Sequence, residues 1–392
     1  MNKLSKSFFF ICLFALLRMS SFAQDSSHLR ISLLTCSPGD ELYSTFGHSG
    51  YRIVDSSKAF NDAWRDVVYN YGTFDFDDPN FYMKFIRGKL LYYVSTEDFN
   101  GPYGFKNIYQ STNRGMVEQV LNLTAAQKIA IQNFLNNNIK EANKFYLYDF
   151  FLDNCTTRLR DILKKNGDST FVTKPVMPLG TTFRQAIYQY LDKNDKQWSK
   201  LGIDILLGQK CDGIMTAAQM QFLPDNLMIS LDSADHKLIL SHENLYPVND
   251  NSNNKSIFNP LVIFSLLLII IVVLAQLKNR TVQKFLQGFD GILFFVTGLL
   301  GCILIFMWFG TDHSMTKNNF NLLWAWPMHM IISFFVNSNK SWVKKYFAFT
   351  AVAMVLVLLA WFFLRQHLNT ALIPFVLLLI HRSATKVFFE NK

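Results

Sequence analysis

Cys155 is the residue of this chain best placed to act as a nucleophile. It lies in the run Asp153-Asn154-Cys155-Thr156-Thr157, in which a polar capping residue precedes a helical pattern over 158–163. The run predicts a thiol in the first turn of a helix, where unpaired N–H groups and the positive end of the helix dipole favour the thiolate. An inert buried cysteine is the alternative, because Cys155, Leu159 and Ile162 share one face of that helix.

His48, about a hundred residues upstream, could serve as the base that activates such a thiol. It lies in the extended run 46–53, between Gly47 and Gly50, whose missing side chains would let a ligand or another backbone segment approach the imidazole. A thiol paired with an imidazole forms and breaks acyl thioesters in cysteine enzymes. The two residues together therefore predict a Cys/His site, with a purely structural histidine as the alternative.

The segments around these two residues indicate one α+β domain, predicted over residues 24–250. Strands are predicted at 31–36, 51–54, 67–76 and 90–95 from their β-branched and aromatic content. Helices are predicted to begin after the capping run at Thr124, at the Cys155 segment, and at 182–191. Because a strand-rich part precedes the helices, the order favours an α+β fold over a regularly alternating α/β sheet.

Residues 257–392, after a polar linker at 251–256, have the composition of a membrane domain. We predict an all-α transmembrane bundle of about five helices, since about 20 apolar residues span a bilayer. The predicted spans are 257–277, 291–311, 318–339, 346–364 and 366–380. Nine of the eleven Lys and Arg residues of this region fall on one side of the predicted bundle. The positive-inside rule therefore predicts an external soluble domain and a cytoplasmic C-terminus.

Residues 1–23 are predicted to be a cleaved signal peptide. Lys3 and Lys6 precede the apolar run 8–17, which is too short to span a bilayer, and Ser21-Phe22-Ala23 resembles a cleavage site. The soluble domain is accordingly predicted to lie in the periplasm, attached to the inner membrane. Of its cysteines, Cys36 and Cys211 could form a bridge that would leave Cys155 free.

Charge and motif content exclude several other classes of function. The net charge is +9, but residues 24–259 carry 24 Lys/Arg and 26 Asp/Glu, whereas residues 260–392 carry 11 and 3. The positive excess lies beside the apolar segments, so we expect no nucleic-acid partner and predict the lipid bilayer as a partner instead. The sequence has neither the spacing of a zinc site nor a Gly-rich phosphate loop, so no metal and no cofactor is expected.

The runs around His48 and Cys155 also resemble known families. His48-Ser49-Gly50-Tyr51, followed by Asn154-Cys155, is similar to the circularly permuted papain-like thiol enzymes, which include NlpC-type peptidases and the lecithin:retinol acyltransferase group. Tyr51 departs from the aliphatic residue of that pattern. More closely, the chain resembles the Lnb N-terminal periplasmic domain family in its form with an attached multi-span membrane region. The matching runs are Pro38–His48, Tyr69–Phe76, Asp153–Thr156, Phe222–Pro224, Asp312-His313 and Asn321–Trp324.

The resemblance implies a permuted papain-like fold for the periplasmic domain, with Cys155 as nucleophile and His48 as general base. The third group, which would orient the imidazole, is predicted to be a polar residue of the neighbouring strand. Asn70 is the candidate, with Thr73 as an alternative and Asp75 behind. Tyr43, Asn154 and Tyr71 are predicted to contact the substrate, although Tyr43 could equally be a packing residue.

Two functions follow from these predictions. The first is a membrane-anchored periplasmic cysteine hydrolase or acyltransferase that acts on an amide or ester of an envelope component. Its substrate would be a lipid, a lipoprotein or a peptidoglycan peptide, and a membrane tether favours the first two. The second is a non-catalytic binding or maturation module coupled to the membrane domain.

Overall fold

A computed structural model describes residues 27–60, 63–234, 237–247 and 256–388. The predicted signal peptide, 1–23, and all of the predicted linker except Ser256 lie outside the described residues. The N-terminal part is built on a seven-stranded sheet with the strand order β6-β4-β3-β2-β1-β5-β7, and all neighbouring strands are antiparallel. The strands are β1 Leu29–Cys36, β2 His48–Phe60, β3 Ala63–Thr73, β4 Leu91–Asp98, β5 Met116–Leu121, β6 Phe145–Leu147 and β7 Ile239–Tyr246.

Eight helices accompany this sheet in the described residues of the N-terminal part. They are α1 Phe81–Arg87, α2 Phe105–Ser111, α3 Ala125–Asn138, α4 Cys155–Asn166, α5 Phe183–Lys193, α6 Gln197–Leu206, α7 Ala217–Met220 and α8 Pro224–Asp232. The three helices predicted from sequence are confirmed. Each begins with a capping box, formed by Thr124, Asn154 and Thr182, which satisfies N–H groups of the first turn that have no intrahelical acceptor.

Both faces of the sheet are covered, which explains why β1 is buried at seven of its eight positions. On one face, Ile31, Leu33 and Tyr51 belong to a core that includes the apolar stripes of α3, α4 and α8. On the other face, Leu34 and Val68 pack with aromatic residues of α2. Burying an aliphatic side chain of this size contributes roughly 1.5–3 kcal/mol, so the two cores hold the sheet and its helices together. The mixed α+β composition predicted from sequence is confirmed.

The start of α4 is attached directly to β2, the strand that carries His48. The Tyr51 hydroxyl donates to the Leu159 carbonyl at 2.8 Å. The Ser49 and Thr156 hydroxyl oxygens lie 3.1 Å apart in a buried hydrogen bond. These contacts fix the first two turns of α4 against the strand, so Cys155 has little freedom to move away from the end of the sheet.

The C-terminal part consists of apolar helices. They are α9 Pro260–Gln276, α10 Arg280–Phe309, α11 Met328–Ile332, α12 Ser341–Ala360 and α13 Ile373–Phe388. The stretches Arg280–Phe309, Ser341–Ala360 and Thr370–Val387 are long and apolar enough to cross a bilayer, and α9 is a shorter apolar helix. Four of the five predicted spans therefore correspond to apolar helices with shifted boundaries.

The predicted span 318–339 differs from a continuous helix. It contains the 3-10 turn Phe320–Leu323, the five-residue α11 and a second 3-10 turn over Ser333–Phe335. This broken segment packs closely on α10, where a side chain at Gly298 would clash with the Met330 backbone. Irregular backbone at this depth is tolerated when other protein segments surround it.

A buried polar network joins the two parts at the C-terminal end of α6. The Asn319 amide donates to the Ile205 carbonyl at 2.8 Å, and the Asn321 amide donates to the Asp204 carbonyl at 3.1 Å. The Asn369 amide donates to the Asp204 carboxylate at 2.8 Å. The last carbonyls of a helix have no intrahelical donor. Side chains of the C-terminal part thus cap a helix of the N-terminal part, and the two parts stabilise each other.

We expect Asn321→Ala to lower the free energy of unfolding of the whole protein by about 1–3 kcal/mol, because the Asp204 carbonyl and the Trp324 indole N–H would lose a buried partner. Chemical unfolding of the full chain in detergent, followed by tryptophan fluorescence, measures this change. Asn133→Ala on the exposed side of α3 is the matched control and should change the free energy by less than about 0.5 kcal/mol. Equal effects of the two substitutions would contradict the capping role.

Candidate active site

A cavity of about 620 Å³ opens where β2 begins and β3 ends, and both His48 and Cys155 line it. Its walls are mainly aromatic and aliphatic, including Leu42, Phe74, Phe76, Phe85, Leu90 and Leu223. The polar groups of the cavity are few and lie close to the thiol. An apolar pocket with a small number of converging polar groups is the usual form of a site for a small or lipid-like ligand.

Cys155 and His48 lie within hydrogen-bond reach of each other at the end of the sheet where the cavity opens. His48 is the first residue of β2 and pairs with Cys36 of β1, and Cys155 is the first residue of α4. The two side chains interact through their charges and a side-chain hydrogen bond. Cys155 is buried and His48 is half-buried. The structure therefore unites the two residues that the sequence singled out.

Gly72 makes this meeting possible from the neighbouring strand. It lies at a β-bulge between Tyr71 and Thr73 and has a φ of 95°, a conformation that side chains other than glycine rarely adopt. A Cβ placed on Gly72 would lie 3.7 Å from the Cys155 Cβ and 4.0 Å from the His48 Cε1. The bulge thus shifts the pairing with β4 at the site and places backbone without a side chain next to the thiol and the imidazole.

Asn70 holds the imidazole from the side opposite the thiol. Its Oδ1 lies 2.6 Å from His48 Nε2, and its Nδ2 donates to Glu97 Oε1 at 2.7 Å. Because the Asn70 amide nitrogen is engaged by Glu97, its oxygen accepts from the Nε2–H, and Nδ1 of His48 is left for the Cys155 thiol. The order Cys155, His48, Asn70, Glu97 gives a continuous chain of polar contacts from the cavity into the sheet.

The electrostatic surroundings favour a thiolate–imidazolium pair. Burial raises the pKa of the Cys155 thiol, but the His48 charge, a hydrogen bond from His48 and a backbone hydrogen bond from Ser49 lower it to about 7 from 9.0. Burial lowers the pKa of His48, but the Cys155 charge and hydrogen bonds to Cys155 and Asn70 leave it above its ordinary 6.5. Both shifts act in the direction that keeps the sulfur deprotonated and the ring protonated near neutral pH.

We therefore expect alkylation of Cys155 by iodoacetamide to follow a titration with a midpoint near pH 7. With a pKa of about 7, about half of the thiol is ionised at pH 7, against about one per cent for a pKa of 9.0. The rate should fall about tenfold per unit below the midpoint and level off above it. Mass spectrometry of the Cys155 peptide from the full-length protein measures this profile. A rate that still climbs tenfold per unit between pH 7.5 and 9 would contradict it.

Three other residues predicted to contact the substrate lie in different surroundings. Tyr43 lies at the rim of the cavity and is 78% exposed, so it is open to a ligand. The Asn154 side chain borders the cavity, but its atoms are used to cap α4 and to donate to the Phe150 and Phe222 carbonyls. Asn154 therefore positions Cys155 through the backbone and offers no side-chain atom to a ligand.

The prediction for Tyr71 requires correction. Successive side chains of a strand point to opposite faces, so Asn70 faces the imidazole and Tyr71 faces the core. Tyr71 is 1% exposed, packs in the core beside α4 and donates its hydroxyl to Asn138. The alternatives for the third residue have other hydrogen-bond partners, although Thr73 also lines the cavity. The Thr73 hydroxyl lies 2.8 Å from that of Ser95, and the Asp75 carboxylate accepts from the Asp77 backbone N–H.

Glu97 and His313 were not assigned to the site from the sequence. Glu97 lies behind Asn70, and the alternation of Ser95 and Glu97 on one face of β4 is the signal that could have indicated it. His313, from the segment after α10, also lines the cavity. Nothing local in the sequence places a residue of the membrane domain beside Cys155.

The cysteines that the structure describes are all free thiols. Cys36 and Cys211 are free thiols buried in different clusters, so the bridge that the sequence allowed is not formed. Within the described residues, no group of three or more His, Cys, Asp or Glu side chains is arranged to hold a metal ion.

Two family models match this chain. The model described as the Lnb N-terminal periplasmic domain matches residues 21–189, which contain His48, Asn70 and Cys155. The model described as the Lnb transmembrane domain matches residues 252–392. Comparisons with curated proteins and with solved structures gave no match. The family predicted from the sequence is confirmed, and the chain belongs to the Lnb family as an inner-membrane protein with a periplasmic N-terminal part.

Proposed function

We propose that this protein is a thiol-dependent acyltransferase or hydrolase that forms an acyl thioester on Cys155 from an ester of a membrane lipid. The observation that carries the proposal is the contact chain of Cys155, His48 and Asn70 inside an apolar cavity. The order of a strand histidine before a helix-start cysteine supports a permuted papain-like arrangement for the periplasmic domain, which we assign to residues 24–250. Residues 257–392 then form the membrane domain, with the C-terminus in the cytoplasm.

In the first half of the reaction, the Cys155 thiolate attacks the acyl carbonyl carbon and forms a tetrahedral oxyanion. The N–H of Cys155 lies in the first turn of α4, where it has no intrahelical acceptor and can donate to that oxyanion. As the intermediate collapses, the bond to the leaving alcohol breaks. The His48 imidazolium gives its proton to the departing oxygen, and the acyl group remains on the sulfur as a thioester.

In the second half, His48 acts as the base. It takes a proton from the incoming nucleophile, which attacks the thioester carbonyl, and the Cys155 thiolate leaves. Water as nucleophile completes a hydrolysis, whereas an amine or hydroxyl of an envelope acceptor completes an acyl transfer. Asn70 keeps the ring oriented during both halves by accepting from Nε2–H.

The walls of the cavity favour a lipid ester over a peptidoglycan peptide as the acyl donor. Aromatic and aliphatic side chains such as Phe74, Phe76 and Leu90 surround the thiol. An alkyl chain gains free energy from contact with such walls, whereas the amides of a peptide would lose hydrogen bonds to water there. Attachment to the membrane domain also holds the site close to its proposed donor.

The test uses full-length protein reconstituted in vesicles whose phospholipid carries a radiolabelled acyl chain. We expect label on the protein that survives denaturing electrophoresis and is released by neutral hydroxylamine, as a thioester is. A mixture of labelled muropeptides in place of labelled lipid should leave the protein unlabelled. Labelling by the muropeptides alone would show that the acyl donor is a cell-wall peptide and not a lipid. Absence of label from both donors would favour the non-catalytic binding module.

A further inference from the structure

Helix α1 presents an apolar face to the outside of the protein. Tyr82, Met83, Phe85 and Ile86 are all exposed, and no residue of the helix is buried. At positions i, i+1, i+3 and i+4 these side chains share one side of the helix. Contiguous exposed apolar surface of this kind marks a contact with another molecule or with a membrane.

The position of α1 relative to the membrane domain identifies what covers this face. The Arg87 carbonyl, at the end of α1, accepts from the Asp312 backbone N–H at 2.9 Å. Asp312 follows closely on Phe309, the last residue of the spanning helix α10. Hydrogen bonds from His313 to the Phe85 and Ile86 carbonyls, at 3.2 Å and 3.1 Å, strengthen the attachment. The short helix is therefore fixed at the outer end of a membrane span.

The basic residues around α1 suit a position at lipid head groups. Lys84 lies in an ion pair with Asp78, the exposed Lys89 has its Nζ 4.0 Å from the Asp312 carboxylate, and Arg87 is exposed at the C-terminal end of the helix. Lysine and arginine at the boundary of a bilayer extend their charged ends toward phosphate groups while their stems remain in apolar surroundings. The apolar face and the flanking charges thus have the distribution of an element that lies in a membrane surface.

We propose that α1 inserts its apolar face into the outer leaflet of the inner membrane, beside α10, and forms the entrance through which a lipid acyl chain reaches the cavity. The insertion of α1 into the leaflet is inferred from the position of the helix alone. Its role as an entrance for an acyl chain rests on the lipid-dependent function proposed above. Together they assign a membrane-contacting surface to the periplasmic part of the chain.

The cavity wall nearest the membrane supports this entrance. Phe85 and Gly88, from α1 and its C-cap, line the cavity together with His313. A Cβ at Gly88 would lie 3.3 Å from the His313 Cε1, so the two segments are in close contact there. Phe76, which is also exposed, continues the apolar wall toward the thiol. An alkyl chain leaving the leaflet beside α1 would therefore meet the mainly apolar wall of the cavity that holds Cys155.

Photocrosslinking tests the insertion independently of any activity. Tyr82 and Tyr103 are exposed by 76% and 92%, and Tyr103 lies in the loop before α2, so a benzophenone amino acid can replace either one without disturbing the core. In nanodiscs of radiolabelled phosphatidylethanolamine and phosphatidylglycerol, position 82 should crosslink to lipid at least tenfold more than position 103. Equal crosslinking at both positions would overturn the insertion, and so would a protein adduct in place of a lipid adduct at position 82.

A substitution tests the entrance. Met83→Glu should lower turnover of a phospholipid in vesicles about tenfold or more but leave turnover of a short, water-soluble thioester unchanged, because the charge opposes insertion without touching Cys155. Tyr103→Glu is the control and should alter neither rate. Unchanged lipid turnover in Met83→Glu would overturn the entrance. A native protein that turns over neither substrate would instead contradict the proposed function. Crosslinking at position 82 would still decide whether α1 inserts into the membrane.

Discussion

Cys155→Ala should abolish the hydroxylamine-sensitive acyl label, with a loss of at least about 10³-fold relative to the native protein. The reason is that no other thiol in the described part of the site can replace it. Cys36, the nearest thiol along the sheet, has its pKa raised to about 12 by burial, so it stays protonated at neutral pH. Quantitative electrophoresis of the reconstituted protein after exposure to labelled phospholipid measures the loss.

Cys155→Ser provides a second and more discriminating result. A serine hydroxyl has a far higher pKa than a thiol and is a poor nucleophile beside an imidazole arranged for sulfur, so any ester should form slowly. Once formed, that oxygen ester should resist neutral hydroxylamine, whereas the thioester of the native protein is cleaved. Cys36→Ala is the matched control and should keep nearly all of the label. Persistence of label in Cys155→Ala would place the acyl group on another residue.

The position of Cys155 could be predicted from sequence because short-range interactions determine it. Asn154 caps the helix through its neighbour Thr157, and this capping box lies within four consecutive residues. The burial of the thiol likewise follows from its spacing to Leu159 and Ile162. Local sequence was sufficient here because no distant contact changes where the helix begins.

The partners of His48 are harder to predict from the sequence, because the register of the strands determines which side chains reach it. Asn70 reaches His48 from the neighbouring strand only because β2 and β3 pair with Tyr51 opposite Tyr69. The bulge at Gly72 then shifts the pairing with β4. A shift of one residue turns each side chain to the opposite face. The sequence suggested both Asn70 and Tyr71 for the site, and only the observed register separates the one at the imidazole from the one in the core.

The membrane domain shows another reason why prediction from local sequence fails. The apolar stretch 318–339 satisfies a hydropathy criterion, but its asparagines cap α6 and its backbone packs on Gly298. Arg382 is one of the nine basic residues that the positive-inside rule assigns to the cytoplasmic side, yet it is buried in an ion pair with Asp290, at 2.6 Å. In both cases contacts with distant segments outweigh the composition of the local window.

His48→Ala should reduce the rate of acyl-enzyme formation by about 10²–10⁴-fold, the range in which a positioned general base contributes. It should also move the alkylation midpoint of Cys155 from about pH 7 back toward or above 9.0. The direction of this change follows from what sets the pKa of Cys155 in the native protein. The His48 charge and hydrogen bond lower the thiol pKa, and burial, which raises it, would remain after the imidazole is lost.

Asn70→Ala separates the orientation of the imidazole from its presence. The ring would remain beside the thiol but lose the acceptor at Nε2, so we expect a smaller loss in rate, about tenfold to a hundredfold. Its alkylation midpoint should lie between those of the native protein and His48→Ala, because the Asn70 hydrogen bond also raises the pKa of His48. Thr73→Ala, whose hydroxyl contacts Ser95 and not the imidazole, is the matched control on the same strand. A His48→Ala protein that keeps both the native rate and the native midpoint would show that the imidazole does not activate the thiol, and Cys155 would then be a buried structural cysteine.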